Sequence, residues 1–209
     1  MNFIDIFLHL DKFLGDIISQ YGTLTYIILF IVIFCETGLV VTPFLPGDSL
    51  IFAAGTFAAI GSLNPWILFL ILIVAAIGGD AANYWIGYKI GPRAYTGEFK
   101  LIKKEYIERT HAFFEKHGGK TIFLARFVPI VRTFAPFVAG VGQMSYSYFF
   151  RYNFIGGVTW VALFLALGYF FGRIPFVQKN FELVIIAIVL VSILPMVFEW
   201  LRSRREHAK

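Results

Sequence analysis

The sequence predicts an all-α membrane protein: four transmembrane helices plus two opposed re-entrant hairpins in an inverted repeat, preceded by an N-terminal amphipathic helix. Three observations predict it. The 209 residues are 58% hydrophobic and only 15% charged, with a mean hydropathy of +0.75, values that ordinary soluble domains do not reach. Apolar runs of spanning length recur along the chain. Two further apolar runs are interrupted by proline, and acids or arginines sit in or beside them, where hydrocarbon is expected. Ionisable groups at that depth are costly and usually functional. No long polar stretch remains for a separate soluble domain, so residues 1–209 are read as one membrane domain.

Residues 1–21 place Phe3, Ile6, Phe7, Leu10, Leu14 and Ile17 at helical spacing, with Asp5, His9, Lys12 and Asp16 between them. This pattern predicts a helix lying on the membrane surface. Its acidic residues stand where a signal peptide would have a basic region, so no removable leader is expected. The first half follows over 22–91. Leu24 to Val41 is the first span, interrupted by Glu36. Residues 43–60 are apolar but short, begin with Pro43, Pro46 and Gly47, and hold small residues up to Gly55, which suits a re-entrant hairpin better than a span. Pro65 to Ile90 is the next span, containing Gly78-Gly79-Asp80 and predicted to stop at Gly91-Pro92.

Residues 92–120 form the one substantial polar loop. His111 and Glu115 lie one turn apart there, but nothing nearby completes a metal site, and a solvated helix face is the expectation. The second half, 121–172, opens with the broken run 121–142, which contains Arg126, Pro129, Arg132, Pro136 and Gly140, and continues with a span from Tyr148 to Phe171. A last span covers 181–201, ahead of the basic tail Arg202-Ser-Arg-Arg205. Positive charge marks the cytoplasmic side, so the tail and the 92–120 loop are both assigned inside. Counting spans between these anchors makes 121–142 re-entrant from the cytoplasm and 43–60 re-entrant from the opposite face. Both termini are then cytoplasmic.

A repeat supports the count. Phe52-Ala-Ala-Gly55 recurs as Phe137-Val-Ala-Gly140, and Gly87-Tyr-Lys-Ile-Gly91 recurs in the same order as Gly168-Tyr-Phe-Phe-Gly172. Inverted repeats with broken helices are a recurring plan of secondary transporters.

The chemistry follows from residue type. Arg126 and Arg132 stay charged almost anywhere and offer a planar fork suited to phosphate or carboxylate. Carboxylates such as Glu36 and Asp48 can take up protons at depth, because desolvation favours the neutral form and a nearby arginine the charged one. Asp80 is read either as a third proton site or as a partner for backbone freed by proline. The alternative for all of them is a set of structural ion pairs, although buried pairs rarely stabilise more than apolar replacements. The single cysteine, Cys35, excludes an internal disulfide and a cysteine-rich metal site. No phosphate-binding loop, zinc-protease helix or serine nucleophile elbow is present, so no enzyme activity, metal or cofactor is expected.

Glu36-Thr-Gly, Phe-Leu-Pro-Gly-Asp48, Gly-Asp80 with Tyr84-Trp-Ile-Gly87, and Arg126-Phe-x-Pro-x-x-Arg132 followed by Pro136 and Ala139-Gly140 resemble the DedA family of bacterial membrane proteins, also called the SNARE-associated or VTT-domain family. The resemblance runs from about Gly22 to Gly172, with Pro43 as its one departure. It implies lipid translocation across the cytoplasmic membrane: members act as flippases for undecaprenyl phosphate or phosphatidylethanolamine, and related eukaryotic proteins scramble phospholipids. Members are also linked to proton-motive force, envelope integrity, cell division and resistance to cationic peptides. By resemblance the essential acids fall on Glu36 and Asp48 and the essential arginines on Arg126 and Arg132.

The resulting expectation is a proton-coupled flippase in the bacterial inner membrane, with undecaprenyl phosphate as first substrate. Arg126 and Arg132 hold the phosphate, Glu36, Asp48 and Asp80 exchange protons, and Pro43, Pro46, Gly47, Gly55, Pro129, Pro136 and Gly140 shape the hairpins. A phosphatidylethanolamine flippase, a proton-coupled exporter of small cations or drugs, and a non-transporting assembly factor are the alternatives. The expected partners are a membrane lipid and protons, with a homodimer as an option and no nucleic acid.

Overall fold

The computed structural model describes residues 10–39, 47–95, 118–188 and 190, and among them every regular element is a helix. Helix α1 is Leu10–Tyr21, followed by a 3-10 turn at Gly22–Leu24 and α2 at Thr25–Gly38. Next come α3 (Gly47–Ala59), α4 (Pro65–Tyr95), α5 (Lys120–Ala125), α6 (Pro129–Val141), α7 (Tyr146–Phe171) and α8 (Pro175–Lys179), and residues 181–188 form a further helical stretch, α9. Three stretches are long and apolar enough to cross a membrane: Lys12–Gly38, Pro65–Gly91 and Tyr146–Phe171. The predicted positions Pro43 and Pro46, the loop residues His111 and Glu115, most of the last span and the basic tail lie outside the described residues.

Short helices stand where the broken runs were predicted. Each of α3 and α6 has 13 residues, about 20 Å at 1.5 Å per residue, well under a hydrocarbon thickness of about 30 Å. In α3 every residue except Phe57 is buried, which marks a helix enclosed on all sides rather than a surface stripe.

Two details differ from the sequence reading. The α4 helix does not stop at Gly91-Pro92 but continues to Tyr95. Proline has helical φ, and its missing N–H removes only one bond of a helix long enough to hold its course. Nor does Pro136 break the second run, because α6 passes straight through it. The break lies instead at 126–128. There Arg126, Phe127 and Val128 donate their amides three residues back, to Phe123, Leu124 and Ala125, before Val128 turns extended and Pro129 takes the first helical position, where an amide has no partner to lose.

The helices form two compact units. Within the described residues, one unit comprises 10–26, 47–69 and 162 onward, and the other 27–39, 70–95 and 118–161. In the first unit α1, assigned by its periodicity to the membrane surface, packs on α3. Leu14 is buried, and a Cβ at Gly15 would lie 3.4 Å from the Phe57 ring.

Each unit contains the same backbone-to-backbone seam, built from the repeated motifs. In the first unit α3 lies on α7: a Cβ on Gly55 would come within 2.5 Å of the Leu165 carbonyl and 3.0 Å of the Tyr169 nitrogen, and one on Gly168 would overlap the Phe52 carbonyl. In the second unit α6 lies on α4: a Cβ on Gly140 would overlap the Tyr84 carbonyl and lie 2.7 Å from the Tyr88 nitrogen, and one on Gly87 would overlap the Phe137 carbonyl. The repeated glycines are required by this approach, since any side chain would strike main chain. The first seam is closed by the Thr56 hydroxyl, whose one hydrogen is shared between the carbonyls of Phe52 (3.2 Å) and Gly168 (3.4 Å), and by Arg173, which donates to the Ala59 carbonyl.

Beside the second seam, Tyr84 stacks on Phe149 with ring centroids 4.5 Å apart and donates its hydroxyl to the Met144 carbonyl. Tyr84→Phe strands that buried carbonyl and is expected to cost about 1–3 kcal/mol in thermal unfolding. Tyr88→Phe, on a 38% exposed ring, is expected to change stability by no more than about 0.5 kcal/mol.

Candidate functional site

Four buried charges meet inside the second unit. Glu36 lies in the last turn of α2, Asp80 near the middle of α4, Arg126 at the break after α5, and Arg132 in the first turn of α6. None is more than 4% exposed. Small residues make this convergence sterically feasible. Gly38 and Gly79 let α2 and α4 close together: a Cβ on Gly79 would overlap the Thr37 hydroxyl and lie 2.8 Å from the Phe34 carbonyl. On α7, the Arg126 side chain runs beside Gly156 and Gly157, and a Cβ on Gly157 would lie 2.8 Å from Ile77 Cγ1 on α4.

The charges form two pairs. Arg126 donates from Nη2 to Asp80 Oδ2 and to Asn153 Oδ1, and Asn153 in turn donates to the Ile77 carbonyl at 3.1 Å. Arg132 donates from Nη2 to Glu36 Oε1 at 2.6 Å. Both guanidiniums lie over one indole: the Trp160 ring centre is 5.8 Å from Arg126 Cζ and 4.8 Å from Arg132 Cζ. A desolvated cation over tryptophan gains about 2 kcal/mol, so the fully buried Trp160 is a favourable floor for both. Two positive and two negative charges cancel within the cluster, the usual condition for burying any of them.

The Arg126 pairing uses one nitrogen. Its Nε and Nη1, and Asp80 Oδ1, are buried without a hydrogen-bond partner among the described residues. Buried donors left in this state are costly and bind an added acceptor strongly. Chemically, the cluster offers a guanidinium with donors to spare, held by a carboxylate that an incoming anion can displace.

Three of the four acids and bases singled out from sequence and family resemblance, Glu36, Arg126 and Arg132, thus come together. Asp80 joins them as the partner of Arg126, rather than of backbone freed by proline. Asp48 belongs to the other unit, buried in the first turn of α3, where a negative charge suits the helix N-terminus. Among the hairpin positions, Gly47 begins α3, Gly55 and Gly140 lie in the seams, Pro129 begins α6 and Pro136 lies inside it.

Asn83, Asn153 and Trp160 were missed by the sequence reading. The two asparagines carried the signal that exposed the acids, a polar side chain in an apolar run. Trp160 looked like any other aromatic in a span. Among the described residues no cluster of three His, Cys, Asp or Glu side chains is placed to hold a metal.

The VTT domain family matches residues 45–170. The chain is 54% identical over 209 residues to protein DedA of Escherichia coli K12, covering 99% of this chain and 95% of that one. It is 46% identical over 175 residues to an uncharacterized membrane protein of Mycobacterium tuberculosis H37Rv, covering 80% of this chain and 74% of the other. It is 33% identical over 181 residues to inner membrane protein YqjA of Escherichia coli K12, covering 86% and 82%. No solved structure matches. With a family match across more than half its length and full-length similarity to a DedA protein, the chain belongs to the DedA family of bacterial membrane proteins.

Proposed function

We propose that the chain is a proton-coupled flippase for an anionic lipid, with undecaprenyl phosphate as first substrate. The observation behind this reading is the pair of buried arginines, each held by a carboxylate. A lipid phosphate competes with Asp80 for Arg126 and with Glu36 for Arg132, since guanidiniums bind phosphate and carboxylate in the same way. Protonation of a displaced carboxylate keeps the charge count of the cluster unchanged as one anion enters. Loss of that proton restores the internal pair and expels the phosphate. Asp48, in the first turn of α3, is the further carboxylate assigned to proton exchange in this proposal.

The wider architecture of this proposal has four spans and two re-entrant hairpins, with both termini cytoplasmic. Its hairpins and its repeat are supported by two features: α3 and α6 are too short to cross a membrane, and the two units share one seam design. Alternating access by repeated halves is the transport plan that suits such a design. A second reading, phosphatidylethanolamine as substrate, is favoured by Asp80 Oδ1, an acceptor open to an ammonium group.

The test is movement of labelled undecaprenyl phosphate and, in parallel, phosphatidylethanolamine across proteoliposomes, with and without a pH gradient. The native protein is expected to accelerate one lipid in a gradient-dependent way, and the Arg126→Ala, Arg132→Ala variant to fall to the rate of protein-free vesicles. No acceleration of either lipid by the native protein overturns the flippase reading.

A further inference from the structure

Asn83 is fully buried on α4, one turn beyond Asp80, yet it hydrogen-bonds neither arginine. Its Nδ2 donates to two backbone carbonyls, Thr37 at 3.2 Å and Thr133 at 2.7 Å. An amide NH2 has two hydrogens, so both bonds form at once. The two acceptors are the residues directly after Glu36 and Arg132.

Local sequence explains why both carbonyls accept. Thr37 lies in the last turn of α2, where carbonyls have no helical partner ahead of them. Thr133 lies inside α6, and its carbonyl oxygen has a second lone pair with which to accept from Asn83. In an apolar medium a carbonyl freed at a helix end, as at Thr37, must be satisfied by a neighbouring side chain. One asparagine thus ties together the backbone just after both members of an ion pair whose side chains meet at 2.6 Å.

We propose that Asn83 is a positioning residue for transport. It fixes the register of α2 against α6, and so the geometry in which Glu36 gives up Arg132 to the lipid phosphate and takes it back. The functional effect rests on the flippase reading, whereas the positioning itself does not. Asn153 differs, because it bonds Arg126 directly and belongs to the site already described.

The test uses Asn83→Leu, which is uncharged, similar in size and has no donor, and Asn83→Gln, which keeps the amide. Two readouts are taken on the full chain. In proteoliposomes, Asn83→Leu is expected to lower the maximal rate of undecaprenyl phosphate movement by roughly a hundredfold, with little change in the concentration for half-maximal rate, since misplacement by about 1 Å has costs of that order. Asn83→Gln is expected to recover part of the rate. Loss of rate explained by a lowered melting temperature, with no recovery by Gln, overturns the proposal.

The second readout needs no transport. With Trp66, Trp85 and Trp200 replaced by Phe, emission comes from Trp160, over which Arg132 lies at 4.8 Å. Asn83→Leu is expected to shift that emission, and to produce no further shift once the pair is removed by Glu36→Gln, Arg132→Met. An equal shift with and without the pair, or none, overturns the positioning role. If the native protein moves no lipid, the flippase reading falls while this second readout still decides the role of Asn83.

Discussion

Arg126→Ala is expected to lower stability by about 3–5 kcal/mol, because it leaves the Asp80 carboxylate buried without its counter-charge. The size follows from burial: Asp80 is 2% exposed, and its nearest cation is the guanidinium that the substitution removes. The neutral double variant Asp80→Asn, Arg126→Met is expected to return to within about 1 kcal/mol of the native protein or to exceed it, since buried pairs seldom outperform apolar replacements of similar volume. Thermal unfolding in detergent measures both. Transport is expected to remain absent in the double variant, which separates the part Arg126 plays in folding from its part in binding. A double variant as unstable as the single one would show that the charge pair is not what the site requires.

The seams give the second large effect. Gly140→Ala and Gly168→Ala are each expected to cost about 3 kcal/mol, near the upper end of the range for overpacking, because the new methyl meets a main-chain carbonyl that cannot rotate away. Gly78→Ala is the control. Its Cβ would stand 3.5 Å from the Phe34 ring, an ordinary contact, and alanine is the better helix former by about 0.8–1 kcal/mol, so stability is expected to hold or rise. If all three variants melt together, the seams are looser than their geometry implies.

Much of this was legible in the chain. Apolar runs and prolines located the long helices and the short ones, since the bilayer fixes how many residues a span needs. The cost of charge at depth exposed Glu36, Arg126, Arg132 and Asp80 without any knowledge of their contacts. Partners were not legible. Nothing in the order of residues says that Arg126 takes Asp80 while Arg132 takes Glu36, because those pairings join segments 46 and 96 residues apart. The prolines misled at two points: Pro92 read as a stop and Pro136 as a break, yet both lie within helices. The repeated glycine motifs were visible as a likeness between halves, but not that each binds the motif of the opposite type in the other half.

That crossing of partners governs how the chain can come into being. Phe52 to Gly55, made early, packs against Leu165 to Gly172, made late, and Tyr84 to Gly91 must wait for Phe137 to Gly140 before its own groove is filled. During synthesis neither unit has all its helices until the second half emerges, so neither seam can close before then. Cutting the gene between the repeats would yield two fragments that are each incomplete, but that should complement one another when made together.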